Sequence, residues 1–158
     1  MTTARKILLV LVSALLAACT TRPIYSVYTQ IDEKGWHQDS LCTFHFDIAD
    51  TQATYDLVLY FRHTERFRYQ NLWLFVGSDV NPENKKDTIE IYLADDRGRW
   101  LGNNHNGFVE MPVLYEQTLS FDSIGSFSLS VQQGMRDSIL KEILAVGLEI
   151  NKHEHGKE

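Results

Sequence analysis

Apolar and polar residues alternate with a period of two through most of this chain, the mark of strands with one face in a core. Cys42, Phe44, Phe46 and Ile48 share one strand face. Across residues 54–62 the inward set is Tyr55, Leu57, Leu59 and Phe61. Leu72, Leu74 and Val76 stand opposite Trp73 and Phe75. Ile89, Ile91 and Leu93 repeat the pattern, as do Phe127, Leu129 and Val131, and then Val146, Leu148 and Ile150. Tyr25, Val27 and Ile31 alternate ahead of these and begin a first strand. The connectors carry turn formers: a polar loop over residues 81–87, Asp95-Asp96-Arg97-Gly98 as a hairpin turn, and a glycine-flanked loop over 102–107. Many short strands so spaced predict an all-β fold, an antiparallel β-sandwich of jelly-roll type. One stretch departs from the period. Met135, Ile139 and Ile143, with Leu140 and Leu144, recur at helical spacing, so a short helix is expected near residues 135–143, crossing one end of the sandwich.

The amino terminus follows another logic. Arg5 and Lys6 precede an apolar run from Ile7 to Leu15, and Leu16-Ala17-Ala18 leads into Cys19. A positive start, a short apolar run and small residues describe a secretory signal peptide. The run is about half the roughly twenty residues a spanning helix needs, so cleavage is expected rather than a permanent span. With the cysteine at the cleavage point, the segment resembles the leader of bacterial lipoproteins, which implies that Cys19 becomes the first mature residue and carries lipid, palmitate included. The expected organisation is a signal peptide over 1–18, a lipidated tether over 19–30, a sandwich domain over 31–152 and a polar tail over 153–158.

Charge narrows the partners. The 158 residues hold 15 basic and 21 acidic side chains. Loss of Arg5 and Lys6 with the leader leaves 13 against 21, a formal charge of −8. Such a domain has no electrostatic footprint for nucleic acid. It is also repelled by anionic head groups, which leaves anchoring to acyl chains. With Cys19 lipidated, Cys42 has no cysteine to pair with, and its strand face makes it a buried thiol acting as a small hydrophobe.

Catalytic patterns are missing from the sequence. There is no Gly-x-Ser-x-Gly elbow, no glycine-rich phosphate loop and no His-Glu-x-x-His helix. His153-x-His155 is a weak metal pair on a loose tail, and Asp95-Asp96 lacks the alternating oxygen ligands of a calcium loop. No metal and no cofactor are expected. Residues 62–69 interleave Arg62, Arg66 and Arg68 with Phe67 and Tyr69. The expectation is a solvated loop between two strands, with Arg62 and Glu65 or Arg66 exchanging surface ion pairs. Trp36, Trp73 and Trp100 would form a sugar platform if exposed on one surface. A carbohydrate-binding lipoprotein is therefore the alternative reading, although core packing is the commoner fate of tryptophan.

Three ordered segments carry a further resemblance: Arg62-His63-Thr64 with residues 69–76; residues 88–95 with Gly98-Arg99-Trp100-Leu101-Gly102; and Gln133-Gly134-Met135-Arg136 with Leu140, Ile143 and residues 146–150. In order and spacing they resemble the GldH family of gliding-motility lipoproteins of the Bacteroidota. Arg68 departs from the proline expected before the tyrosine. The resemblance implies a non-enzymatic envelope lipoprotein supporting gliding and the associated type IX secretion machinery, with envelope proteins as partners. Thr20-Thr21-Arg22 after Cys19 is not an acidic export cluster, so the expected place is the outer membrane, facing the periplasm. The candidate binding or structural residues are Arg62, Tyr69, Asn71, Trp73, Trp100, Gly102, Met135 and Arg136. For Gly98 a positive φ is expected; Gly102 would permit close approach; Arg136 would tie loop carbonyls or carboxylates together.

Overall fold

The computed structural model describes residues 22–80 and 86–153. Eleven strands form: β1 (Tyr25–Gln30), β2 (Trp36–His37), β3 (Cys42–Ile48), β4 (Tyr55–His63), β5 (Asn71–Ser78), β6 (Lys86–Tyr92), β7 (Asn103–His105), β8 (Phe108–Leu119), β9 (Gly125–Gln133), β10 (Ile139–Leu140) and β11 (Ile143–Lys152). A five-stranded sheet has the order β1-β11-β4-β8-β7 and a four-stranded sheet the order β3-β9-β5-β6, all neighbours antiparallel. The two-stranded ladder β10-β2 is separate from both.

The period-two patterns become the two inner faces of this sandwich. Every second residue of β4, from Tyr55 to His63, is buried, and so is the set Cys42, Phe44, Phe46 and Ile48 on β3. Leu72, Leu74 and Val76 of β5 and Leu129 and Val131 of β9 complete the four-stranded side of the core. Cys42 lies here as a free buried thiol, and burial pushes its pKa up to about 11. One end of the sandwich is closed by aromatics: Tyr25 meets Phe46, and Phe121 packs on Phe46, Tyr55 and Phe127.

The expected helix near 135–143 does not form; no helix occurs among the described residues. Its helical spacing is produced by a change of phase within extended chain. Residues 134 and 135 spend their N–H groups outside any helix, Gly134 on the Trp73 carbonyl at 2.7 Å and Met135 on Gln133 Oε1 at 2.8 Å. Leu140 is then buried opposite Trp36 in the β2–β10 ladder. Glu142 takes a positive φ of 69°, which turns the chain into β11 and exchanges the inward and outward positions.

The longest strand, β8, is absent from the sequence expectation. Pro112 interrupts its pattern, yet it sits opposite Tyr60 and beyond the stretch that β7 pairs, residues 108–110. There β8 is a sheet edge, where a missing N–H costs little. The loop expected over 102–107 is in part a hairpin: β7 turns at Asn106-Gly107, with Gly107 at φ 101°, into β8.

Candidate functional site

Of the eight candidate residues, five converge at one end of the four-stranded sheet. Tyr69, Asn71, Trp73, Met135 and Arg136 line an open groove of about 580 Å³. The convergence follows from strand order. β5 and β9 are far apart in sequence but adjacent in the sheet, Leu74 opposite Gln133, so the residues after β9 lie against the start of β5.

The walls are held by named contacts. Gln133, buried, donates from Nε2 to the Asp137 carbonyl at 2.8 Å while accepting the Met135 N–H. The Trp73 N–H points to Met135 Sδ at 3.3 Å. Tyr69 Oη donates to Asp137 Oδ2 at 2.8 Å, and this bond raises the phenol pKa. Asn71 Nδ2 donates to Glu90 Oε1 at 2.6 Å. A Cβ on Gly134 would stand 3.1 Å from the Phe75 ring, so this position is tightly packed. Gln133 and Asp137 were not among the sequence candidates; a polar side chain at an inward strand position was the available signal for Gln133.

A second groove, of about 310 Å³, shares Tyr69 and Asp137 with the first. It adds Arg66, Arg68 and Lys141, opposite Glu142. Glu142 accepts from the Thr64 hydroxyl and pairs with Arg66 at 3.4 Å, and these contacts, the Thr64 bond first, lower its pKa. The Arg68 guanidinium stands 5.8 Å from the Tyr69 ring centre. Among the described residues neither Arg68 nor Arg136 pairs with a carboxylate. Of the carbonyls or carboxylates that Arg136 was expected to tie together, no carboxylate is paired with it there.

The remaining three candidates, Arg62, Trp100 and Gly102, lie elsewhere. Arg62 is on β4, not in a solvated loop, and its partner is Glu110 of β8 at 2.7 Å rather than Glu65. Its guanidinium also stacks 3.9 Å above the Tyr28 ring, whose hydroxyl donates to the same Glu110 carboxylate at 3.0 Å. Burial, with Glu110 beside it, pushes the Tyr28 phenol up to about 12. Sequence reasoning could not find Glu110, because a register 48 residues away supplies it. A Cβ on Gly102 would stand 2.8 Å from the Glu110 carbonyl carbon, so only glycine allows this approach. Gly98 has the expected positive φ, 76°.

Trp100 is half-buried with its ring 4.5 Å from that of His63. His63 is fully buried; Nδ1 faces the Thr64 carbonyl at 2.9 Å and Nε2 has no partner among the described residues. Burial lowers its pKa, because desolvation disfavours the imidazolium. Below the unfolded histidine value of about 6.5, the unfolded chain takes up a proton that the fold resists, so stability falls as pH falls through that window. The slope is at most about 1.4 kcal/mol per pH unit for one proton. Urea midpoints at pH 7.5 and 5.5 should differ less for His63→Phe than for the unaltered protein. An equal difference would show that His63 does not carry this term.

The three tryptophans do not share a surface. Trp36 is in the core and Trp100 is packed on His63, which leaves Trp73 alone at 40% exposure. Its exposed companions are Phe75 at 47% and Tyr92 at 59%. Among the described residues no group of three or more His, Cys, Asp or Glu is placed to hold a metal ion. His153 faces Asp56 at 2.8 Å, and His155 lies outside the described residues, as does Cys19.

Comparison with known proteins covers the same stretch as the sandwich. The sequence model described as GldH lipoprotein matches residues 23–150. The chain is 33% identical over 150 residues to the gliding motility lipoprotein GldH homolog of Christiangramia forsetii, covering 89% of this chain and 91% of that protein. It is 26% identical over 132 residues to the gliding motility lipoprotein GldH of Flavobacterium johnsoniae, covering 83% of this chain and 81% of that protein.

Proposed function

The chain belongs to the GldH lipoprotein family, and from that premise we propose that it is a non-enzymatic, lipid-anchored accessory of the gliding-motility apparatus and its type IX secretion machinery. The observation that carries this reading is the family match across residues 23–150, nearly the whole sandwich. The anchor is the lipid on Cys19, and the location is the outer membrane, facing the periplasm. A non-enzymatic role is supported by the placement of the two strongest nucleophile and base candidates, the Cys42 thiol and the His63 imidazole, in the core away from either groove.

Strand register supports an orientation. Six residue steps lead from Cys19 to the start of β1 at Tyr25, a reach of at most about 20 Å. Tyr25 pairs with Ile150, and Tyr55 pairs with Lys152, so the first residues of β1 and β4 lie at the aromatic-plugged end. The groove lies past the other end of β4, where Thr64 N–H bonds the Glu142 carbonyl. Eight strand steps of about 3.3 Å put roughly 26 Å between the ends. The anchor thus holds one end near the bilayer and presents the other to envelope proteins. Deleting the gene in a gliding host should stop surface spreading and reduce secretion of type IX cargo; normal spreading and secretion would refute the reading.

A further inference from the structure

We propose that the groove beside Trp73 docks an acidic, extended segment of a partner protein. The segment's apolar side chains would rest on Trp73, Phe75 and Tyr92, and its carboxylates would face Arg136 and Arg68. This rests on the reading of the protein as an envelope adaptor and names the chemistry of its partner.

Four observations converge on it. The first is an aromatic strip. Trp73 and Phe75 occupy alternate outward positions of β5, and Tyr92 lies beside them on β6, opposite Asn71. Exposed aromatic rings of this kind are the usual anchors of protein–protein contacts. The second is charge. The chain is acidic overall, at −6, yet the two grooves collect Arg66, Arg68, Arg136 and Lys141. Against them stand Asp137, Glu142 and, opposite Trp73 on β6, Glu90, already engaged by Tyr69, by Thr64 with Arg66, and by Asn71 with Tyr92. Arg68 and Arg136 are left facing solvent with no described carboxylate, where an acidic partner complements them and is guided to them.

The third observation is shape. The two grooves are open and adjoin at the hydrogen-bonded pair Tyr69 and Asp137. The exposed rings of Trp73 and Phe75 run on from the first groove along the outward face of β5, so an extended segment has a continuous surface to lie on. The fourth separates peptide from glycan. The Asn71 amide is committed to Glu90, the Met135 sulfur to the Trp73 N–H, and the Tyr69 hydroxyl to Asp137. A sugar rich in hydroxyls finds few unengaged polar partners here, whereas aliphatic side chains and carboxylates find both of theirs. The same bonds hold the walls in place before docking, which lowers the entropic cost of binding.

The test uses the full lipidated chain in nanodiscs. The probes are fluorescent decapeptides alternating glutamate with leucine or phenylalanine, the same peptides with glutamine for glutamate, and heparin as a polyanion without apolar side chains. The glutamate peptides should bind saturably, with affinity reduced about tenfold or more by Trp73→Ala and separately by Arg136→Glu. Both substitutions are at the surface, and an unchanged thermal transition confirms the fold. Three results would overturn the proposal: no saturable binding by any glutamate peptide up to millimolar concentration, equal binding by the glutamine peptides, or binding of heparin as tight as that of the glutamate peptides and glutamate-peptide binding unaffected by Trp73→Ala. The functional reading is tested apart from this. If the deletion strain fails to spread while a strain carrying both substitutions spreads normally, the docking proposal falls and the motility role stands. If the deletion strain spreads and secretes normally, the motility role falls whatever the peptides do.

Discussion

Replacing Trp36 by alanine should destabilise the domain by about 3–5 kcal/mol, the range for removing a large aromatic from a packed core. Trp36 is 1% exposed and heads the buried aromatic set. Its indole N–H also donates to the Ser40 carbonyl at 3.0 Å, and its backbone pairs with Leu140 in the β2–β10 ladder. Removing the ring therefore leaves a cavity and an unpaired carbonyl, and it loosens the segment that backs residues 137–142. Gly35, at φ 108° and with the Leu140 carbonyl 2.8 Å from where a Cβ would sit, shows how closely the two pieces approach. Against a typical total of about 5–15 kcal/mol, such a loss removes about a fifth of the stability or more. Urea denaturation of the soluble domain measures it; a change under about 1 kcal/mol would mean that Trp36 does not hold this end of the sandwich.

Cys19→Ser should have the largest effect on function and none on the fold. The cysteine stands six positions before the first described strand and lies outside the described residues. If the leader is removed as expected, the remaining 13 basic and 21 acidic residues give a formal charge of −8, which anionic head groups repel. Among the described residues no helix is long and apolar enough to cross a membrane. On the proposed reading acyl chains on Cys19 are the anchor, and one chain alone gives only marginal, reversible attachment, so a doubly acylated terminus is expected. Labelled palmitate should enter the unaltered protein and not the Cys19→Ser variant. The variant should appear in the soluble periplasmic fraction with an unchanged melting transition, and its strain should spread no better than the deletion strain. A soluble variant with full spreading would show that attachment is dispensable.

The strands of the core were legible in the sequence because alternation survives wherever one face is buried and the other wet. β3 and β4 are the clearest cases. β8 escaped because Pro112 and Glu110 interrupt its apolar set, and what makes them acceptable there is a sheet edge and the partner Arg62, both products of topology. The expected helix arose from a register change at Glu142 that mimics a period near four. The candidate site was legible as residues but not as a place. Tyr69, Asn71 and Trp73 lie more than 60 positions before Met135 and Arg136, and only the adjacency of β5 and β9 joins them. Phe75 and Tyr92 were hidden in another way. An aromatic on a strand predicts burial as readily as exposure, and the outer face of this sheet decides between them.

Anchor and groove at opposite ends of one sandwich is the claim on which the rest depends. Single spin labels placed at Ile124, in the loop beside the plugged end, and at Arg136, in the groove wall, test it on the lipidated chain in bilayers doped with a nickel-chelating lipid. Strong paramagnetic relaxation at position 124 and weak relaxation at 136 is the expected result. Equal relaxation at the two positions, or stronger relaxation at 136, would contradict it.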